Sequence, residues 1–533
     1  MKKTIVITIA IIACLVWLIT LSINDAPDEA EHLASLDIDT PTEVATISYI
    51  SDTLMDVLSN ALTRREGISR PCDSYLIPLT VGREAIISRW DIERRRETIT
   101  RYMFGSVPYN ANQPMIMSDL NLFFHALSSL YAPYIYLGGD EVFLPILHNI
   151  RYILSQSMYW TPCELEEIIY TNLAPVITDI HFRLGDRRFY GDMEIFHYDM
   201  RFTRSTSGFI CIYSELYVRE LILQCFPDMS LDIQDVLRFS MDEYGRQFFY
   251  APVIALPAPA NEFPTYYLQI IYEDETYRIV PMNMLGSVRS LDRVRRAWDP
   301  NPTFEIMQGV PVVAVGGMGC TSAPLDEGGR GAGQFMALTE QLRDEPVFIL
   351  DLRGNRGGNL MLPSRWFRRL MRQDIPPNFN HLAINNYERY VAGLEGRFRP
   401  GWPDPVFFDE RHITYAWPAC GVVSNEQLII VLIDRFTTSS AEHMVDLAFS
   451  IENVLVVGQN TAGAAITSGG WLNTYLPWSG LRFDFSIDMR IFPDDHFQEG
   501  IGFAPDIWVM GDALTAALNM LDNHITIDCR GDS

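Results

Sequence analysis

Short apolar runs separated by helical segments dominate the chain between residues 301 and 515. The runs are VPVVAVGG, PVFILDLRG, QLIIVLIDR and NVLVVGQN, and their length is typical of strands buried in an α/β sheet. From about 46 to 175, apolar residues instead recur at three and four positions, as in DLNLFFHALSSLYAP and ELEEIIYTNLAPVI, which predicts helices. We therefore expect an α/β fold with a helical N-terminal lead-in.

The other segments differ in pattern and indicate where domains begin and end. Residues 186–304 alternate strand-like pieces such as FICIYSELYV with helical ones, and residues 25–45 are acidic and contain two prolines, as in a linker. We predict six segments: an anchor or signal (1–24), an acidic linker (25–45), a helical region (46–185), a mixed α/β insert (186–304), an α/β core (305–515), and a C-terminal helix and tail (516–533).

An uncharged stretch from Thr4 to Ile23 follows Lys2 and Lys3. About twenty apolar residues are enough to cross a membrane as a helix, and the preceding lysines place the N-terminus inside. The run continues past Cys14, further than a signal peptide needs. We expect a single-pass anchor in the cell membrane with the rest of the chain extracytoplasmic. A cleaved secretory signal, or a lipoprotein signal at Cys14, stays open as an alternative.

Composition limits the chemistry available to the chain. With 533 residues, 48% of them hydrophobic, it is long enough to bury a large core. The formal charge of −26 argues against a nucleic-acid partner, since phosphate binding needs basic patches. No lysine follows Lys3, which excludes a Ser–Lys dyad, a Schiff-base lysine, a pyridoxal-phosphate site and a P-loop from nearly the whole chain. The cysteines, and the pair Asp494-Asp495 near His496, fit no recognised metal spacing.

The run LIIVLIDRFTTSSAE, residues 428–442, is an apolar strand that ends in a polar turn and leads into a helix. A serine at such a turn, here Ser439, is a candidate nucleophile. Ser439 and Glu442 also fit a capping box that opens the helix AEHMVDLAFS. Because capping alone explains this local pattern, other segments must decide between the two interpretations.

Three further segments contain candidate partners for such a serine. In VFILDLRGNRGGN, the backbone amides of Gly357 and Gly358 could stabilise an oxyanion, although an ordinary tight turn has the same pattern. In ITDIHF, His181 is a candidate base, although most histidines are structural. In QEGIGFAPD, Glu499 could orient an imidazole, although an exposed carboxylate is the simpler explanation.

Together these segments resemble the carboxy-terminal processing and tricorn-type serine peptidases, also called tail-specific proteases. The similarity is carried by DLRGNRGG (351–358), DRFTTSSAE (434–442), VVGQNTAGA (456–464), LPWSGL (476–481) and QEGIGFAPD (498–506). It implies a ClpP/crotonase-like spiral ββα core, a polypeptide substrate, Ser439 as nucleophile, and an oxyanion hole from the amide of Ser440 with that of Gly357 or Gly358. No metal or organic cofactor is implied.

The missing lysine decides which branch of that family the chain resembles. One branch uses a lysine base just after the TxG turn, and this chain has Ala464 there. The resemblance therefore points to the tricorn-like branch, in which His181 would be the base and Glu499 would support it. The family's PDZ module is not recognisable in the insert beyond a degenerate remnant.

Two other functions remain open at this stage. A catalytically inactive relative could use the same fold to bind peptides or to serve as a scaffold. A crotonase-like acyl-CoA enzyme would share the spiral architecture, but the serine turn and the export signal argue against it. We expect a serine endopeptidase because Ser439, His181 and Glu499 are all present.

Overall fold

The computed structural model describes residues 45–66, 111–134, 136–189, 193–198, 200–205, 208–211, 221–225, 236–257, 266–271, 276–281, 288–290, 301–318, 331–384, 406–407, 412–415, 422–468, 472–486, 488–493 and 496–529. The chain divides into a compact unit of residues 45–528 and a second unit of residues 1–44 and 529–533, of which only Cys529 is described. The predicted anchor Thr4 to Ile23 and nearly all of the linker lie outside the described residues. Within these residues, no helix has the length and apolar character needed to cross a membrane.

The α-helices of the described residues are α1 (Asp52–Glu66), α2 (Gln113–Leu130), α3 (Gly139–Leu154), α4 (Pro162–Leu173), α5 (Ala332–Leu342), α6 (Met361–Met371), α7 (Ser440–Ala448) and α8 (Ala513–His524), with a 3-10 turn at Ala132–Tyr134. The helices predicted from DLNLFFHALSSLYAP and ELEEIIYTNLAPVI are confirmed as α2 and α4. Helix α2 begins after Asn112, whose side chain accepts the N–H of Met115, and α4 begins with a capping box between Thr161 and Glu164.

The strands are β1 (Ala45–Ile50), β2 (Ala111–Asn112), β3 (Tyr159–Trp160), β4 (Arg183–Leu184), β5 (Arg187–Arg188), β6 (Met193–Tyr198), β7 (Phe202–Ser205), β8 (Gly208–Cys211), β9 (Leu221–Cys225), β10 (Leu237–Met241), β11 (Phe248–Pro257), β12 (Tyr266–Ile271), β13 (Tyr277–Pro281), β14 (Val288–Ser290), β15 (Thr303–Met307), β16 (Val310–Ala314), β17 (Val347–Asp351), β18 (Asn380–Ile384), β19 (Val406–Phe407), β20 (His412–Tyr415), β21 (Leu428–Ile433), β22 (Val454–Gly458), β23 (Leu472–Tyr475), β24 (Arg482–Phe485), β25 (Asp488–Ile491), β26 (Ile507–Val509) and β27 (Ile525–Cys529). The four apolar runs of the core are confirmed as strands β16, β17, β21 and β22.

A central sheet runs in the order β14-β6-β11-β10-β26-β22-β21-β17-β16-β15. Its middle, from β10 to β16, is parallel. Alternate residues of β17 point to opposite sides, with Phe348 packing in the core beside α5, α6 and α7, and Ile349 in the core beside α1 and α8. Because helices cover both faces, the middle strands β16, β17, β21 and β22 are almost entirely apolar, as their sequences indicated. The mixed α/β class with a central sheet is thus confirmed.

The described residues of the predicted insert 186–304 are mostly strands, and many of them extend the central sheet. Strand β10 lies parallel to β26, with Ser240 opposite Trp508, and β11 and β6 follow it. Strands β9, β12 and β13 form a separate small sheet. The segment after residue 515 also adds a strand, since β27 follows α8 and pairs with β1. The predicted boundaries at 304 and 515 remain predictions.

The helical region has a core of its own, which also includes four residues at and before β24: Leu476, Leu481, Phe483 and Phe485. Strand β4 pairs with β24, placing Leu184 opposite Phe483. Beside them, buried aromatic rings pack edge to face, including Phe182 against Tyr131 with centroids 5.1 Å apart. Such pairs contribute about 0.5–1.5 kcal/mol each beyond the burial of their area. This core fixes the backbone that immediately precedes β4.

Candidate active site

The polar turns after β17 and β21 lie side by side because these strands are adjacent and parallel, so their carboxyl ends meet at the same sheet edge. Asp434 joins the two turns: its Oδ1 accepts the N–H of Gly354 and of Phe436, both at 2.9 Å. In the opposite direction, the carbonyl oxygen of Asn355 accepts the N–H of Thr438 at 2.9 Å. The motifs DLRGN and DRFTT therefore form one rigid structure.

Ser439 is the last residue of the second turn and directly precedes α7. Its φ of 60° and ψ of −116° are unusual for a residue with a side chain. Backbone strain of this kind costs on the order of 1–3 kcal/mol, persists only where the surroundings enforce it, and is concentrated at functional sites.

The surroundings that enforce this conformation include Glu442, which is fully buried in α7. Its Oε2 accepts the N–H of Ser439 at 2.8 Å and that of Ala464 at 2.9 Å, while its Oε1 accepts the N–H of Gly463 at 2.7 Å and the hydroxyl of Thr461 at 2.6 Å. Glu442 thus performs the helix-opening role expected from the capping pattern. It also fastens the turn of Ser439 to the turn that follows β22.

His181 lies beside the hydroxyl of Ser439, with its Nε2 3.3 Å from Oγ. The ring is brought there by Phe182 and β4, which are embedded in the aromatic core of the helical region. Burial, followed by the charges of Arg490 and Arg188, lowers the pKa of His181 to about 4. At neutral pH the imidazole is therefore uncharged and its Nε2 can accept a proton.

The other ring nitrogen of His181 contacts a threonine that the sequence did not single out. Its Nδ1 lies 3.1 Å from Thr467 Oγ1, and this hydroxyl donates to Asp179 Oδ1 at 2.7 Å. The distance from His181 Nδ1 to Asp179 Oδ1 is 3.9 Å. Asp179 was visible in the sequence as the carboxylate two positions before His181, whereas Thr467 carries no signal that a single sequence reveals.

Glu499 lies nearby, but no hydrogen bond joins it to His181 within the described residues. Its Oε2 accepts the N–H of Ile466 at 3.1 Å, and its Oε1 has no hydrogen-bond partner among the residues that the structure describes. Burial, and then the neighbouring carboxyls of Asp179 and Glu442, raise the pKa of Glu499 well above its ordinary value. The structure therefore places Ser439 and His181 in contact and leaves Glu499 outside this contact.

The glycine turn lies against Ser439, and its two glycines differ in what their amides do. The N–H of Gly357 donates to Asn355 Oδ1 at 2.9 Å. For the N–H groups of Gly358 and Ser440, no intramolecular partner is present in the described part of the chain. These two amides are therefore available to an oxyanion, while Gly357 allows the close approach, since a Cβ on it would lie 2.8 Å from Ser439 Cβ.

The arrangement combines a hydroxyl, a neutral imidazole and two amides that have no partner among the residues described, which is what nucleophilic acyl transfer requires. Among the described residues, no group of three His, Cys, Asp or Glu side chains could hold a metal ion. Asp494 and Asp495 lie outside the described residues, and His496 instead contacts Asp446 at 3.1 Å.

Comparison with known families gives a match to the segment that contains most of this site. The model of peptidase family S41 matches residues 326–509. Over this segment, which is about a third of the chain, the sequence is similar to peptidase family S41. The S41 segment contains Ser439, both glycines and Glu499, whereas His181 lies upstream of it. This match supports a serine peptidase function, in agreement with the resemblance found in the sequence.

Solved structures that resemble the chain overall share little sequence with it. Mature CPAF in complex with lactacystin is 14% identical, with 77% of this chain and 97% of that chain covered and a TM-score of 0.38. The photosystem II D1 C-terminal processing protease is 13% identical, with 76% and 97% covered and a TM-score of 0.33. Tricorn protease is 11% identical, with 77% and 35% covered and a TM-score of 0.30. No curated protein matches the chain in sequence.

Proposed function

We propose that this protein is a serine peptidase of family S41 that hydrolyses internal peptide bonds of polypeptides, with Ser439 as the nucleophile and His181 as the general base. The observation that carries the proposal is the 3.3 Å distance between Ser439 Oγ and His181 Nε2. It lies just beyond the usual range for a hydrogen bond between a nucleophile and its base, as is common without bound substrate. A serine that merely caps a helix needs no imidazole at its hydroxyl.

In the proposed reaction, His181 Nε2 removes the hydroxyl proton while Ser439 Oγ attacks the peptide carbonyl carbon. The carbonyl oxygen becomes an oxyanion that the amides of Gly358 and Ser440 stabilise, at roughly 3 kcal/mol per donor. The C–N bond then breaks, the leaving amine takes the proton from Nε2, and water hydrolyses the acyl-enzyme by the same steps. None of these steps requires a metal ion or an organic cofactor.

We further propose that the peptidase is held at the cell membrane by residues 4–23 and acts on the extracytoplasmic side. The support is the uncharged stretch itself, which follows two lysines. In cells expressing the full chain, we expect the protein to resist extraction with alkaline carbonate and to be released by detergent. A protein released without detergent would favour a cleaved signal, and one whose retention depends on Cys14 would favour lipidation.

Labelling with a fluorophosphonate probe tests the peptidase proposal, because the probe reacts with an activated serine. We expect the parent protein to be labelled, and Ser439→Ala and His181→Ala to lose labelling. Ser59→Ala and His148→Ala serve as matched controls, since both side chains are exposed on helices. Both controls should be labelled like the parent.

Two outcomes would contradict the proposal. Labelling that persists in Ser439→Ala would remove Ser439 from the role of nucleophile. A parent protein that binds peptides but is neither labelled nor able to cleave them would instead indicate the inactive, peptide-binding relative. Cleavage of a casein or peptide mixture, with internal and terminal cuts distinguished by mass spectrometry, tests the endopeptidase assignment.

A further inference from the structure

A buried chain of polar groups extends from His181 away from Ser439. It consists of the hydroxyl of Thr467 and the carboxyl of Asp179, both of which are buried. Asp179 accepts three hydrogen bonds: from Thr467 Oγ1 at 2.7 Å, from the N–H of His181 at 2.9 Å and from Tyr131 OH at 3.1 Å. An acceptor surrounded by donors is the arrangement that stabilises an ionised carboxylate.

The hydrogen-bond directions along this chain fix the state of the imidazole. A threonine hydroxyl has a single hydrogen, and Thr467 donates it to Asp179. Its oxygen can therefore only accept from His181 Nδ1, which lies 3.1 Å away. The proton of a neutral His181 must then reside on Nδ1, so that the lone pair of Nε2 faces Ser439.

We propose that Thr467 is a positioning residue that connects the carboxylate of Asp179 to His181, and that Asp179, rather than Glu499, is the acidic partner of the base. This inference rests on the proposed function of Ser439 and His181. When His181 takes the proton of Ser439, the positive charge that forms on the ring is stabilised through the threonine hydroxyl. No proton leaves Nδ1 in this step.

Glu499 has a different role in this arrangement. Its Oε2 accepts the N–H of Ile466, the residue immediately before Thr467, and its carboxyl also faces the backbone N–H of Ile180, the residue before His181. A carboxyl buried beside Asp179 and Glu442 is disfavoured as an anion, because like charges at short range oppose ionisation. Glu499 thus supports the backbone that carries Thr467, and its raised pKa disfavours the anion that would stabilise a protonated imidazole.

The pH dependence of the site distinguishes the two carboxyls. Burial raises the pKa of Asp179 to about 6, and burial lowers that of His181 to about 4. As the pH falls through 6, Asp179 gains a proton before His181 does. The negative charge that would stabilise a protonated His181 is then lost. The charged and titratable groups facing the two side chains are Tyr131, Arg183, Arg188, Asp488, Arg490 and Glu499.

The experiment measures the rate of fluorophosphonate labelling from pH 4 to 9 in the full chain. Thr467→Val removes the hydroxyl at nearly constant volume, and we expect labelling at pH 8 to fall roughly 10²-fold, within the range of general-base contributions. Thr467→Ser keeps the hydroxyl and should restore most of the rate. Asp179→Asn keeps an acceptor but removes the charge, so labelling should slow and the acid limb near pH 6 should disappear.

Glu499→Gln is the discriminating comparison, because glutamine keeps an oxygen that can accept the N–H of Ile466 but removes the carboxyl. We expect its acid limb to remain where it is in the parent. If Glu499→Gln removes the limb near pH 6, or if Thr467→Val retains the parental rate and profile, the inference is wrong. A uniform loss of rate in Thr467→Val and Thr467→Ser alike, with the acid limb unmoved, would indicate a packing role and would also overturn it.

A second readout separates this inference from the proposed function. Nitrogen NMR of ¹⁵N-histidine, with the His181 signals identified by comparison with His181→Gln, reports which ring nitrogen carries the proton. We expect Nδ1 to be protonated in the parent and the two tautomers to be mixed in Thr467→Val. If the parent is not labelled by the probe, the function fails, while the tautomer still decides whether Thr467 fixes the ring. If the proton of the parent lies on Nε2, the proposed hydrogen-bond connection from His181 through Thr467 to Asp179 is refuted.

Discussion

Replacing Gly357 with alanine tests how closely the glycine turn packs against the turn that carries the nucleophile. Gly357 has φ +82°, and a Cβ there would lie 2.6 Å from Thr438 O and 2.8 Å from Ser439 Cβ. Gly309 has a similar φ of +79°, and a Cβ there would meet nothing within 4 Å. The pair Gly357→Ala and Gly309→Ala therefore separates backbone strain from the close contact.

The strain should lower the free energy of unfolding by about 1–2 kcal/mol in both variants, because residues with a side chain are disfavoured in the left-handed region. Only Gly357→Ala also forces the two turns apart. Ordinary contact begins at 3.4 Å, so the separation must grow by 3.4 − 2.6 = 0.8 Å at Thr438 O. A displacement of about 1 Å at a reacting group can cost roughly 10²-fold in rate.

Urea unfolding and probe labelling measure the two effects separately. Gly309→Ala should lose stability and keep the parental labelling rate, whereas Gly357→Ala should lose stability and also be labelled roughly 10²-fold more slowly. A Gly357→Ala variant that is labelled at the parental rate would refute the reasoning, since the contact between the turns would then not control Ser439. Equal losses of labelling in both variants would point to a general effect of destabilisation.

Three further predictions concern stability, and urea unfolding measures each of them. Glu442→Gln leaves two of its four donors without an acceptor, so we expect a loss of roughly 2–6 kcal/mol, and a loss under about 1 kcal/mol would contradict the described contacts. Arg65→Met breaks a buried ion pair and should cost about 3–5 kcal/mol, whereas Arg64→Met, with a side chain 56% exposed, should cost under about 1 kcal/mol. Burial alone would raise the pKa of Asp512, but hydrogen bonds, first among them that of the Thr515 hydroxyl, lower this pKa to about 2. The ionised Asp512 should therefore add to the free energy of unfolding above pH 4, by a small amount because its side chain is half-exposed. This contribution should disappear as the pH falls through 2, and it should be absent at every pH in Asp512→Ala.

Much of the fold followed from the sequence because it depends on local pattern. Uninterrupted apolar runs of four to six residues are typical of strands whose two faces are both covered, and β17 and β21 contain such runs. The pairing of β10 with β26 could not be predicted in this way. It joins residues far apart in the chain, and the choice of neighbour depends on which sheet edge the tertiary structure leaves available.

Part of the site also followed from the sequence. The strand–turn–helix pattern marked Ser439, the glycine pair marked the turn beside it, and the absence of lysine after Lys3 removed one class of base. The sequence did not distinguish Gly357 from Gly358. That difference arises because Asn355 accepts the N–H of Gly357, a contact set by how the turn folds.

What the sequence by itself determined is therefore the secondary structure of the core and the types of reactive group it carries. Only the tertiary structure decided which groups meet. Thr467 lies 286 positions from His181, and its hydroxyl reaches the ring because the pairing of β4 with β24 and the turn after β22 converge there. Hydrogen bonds act over about 3 Å. Which carboxyl supports an imidazole therefore depends on packing, and no spacing along the chain encodes it.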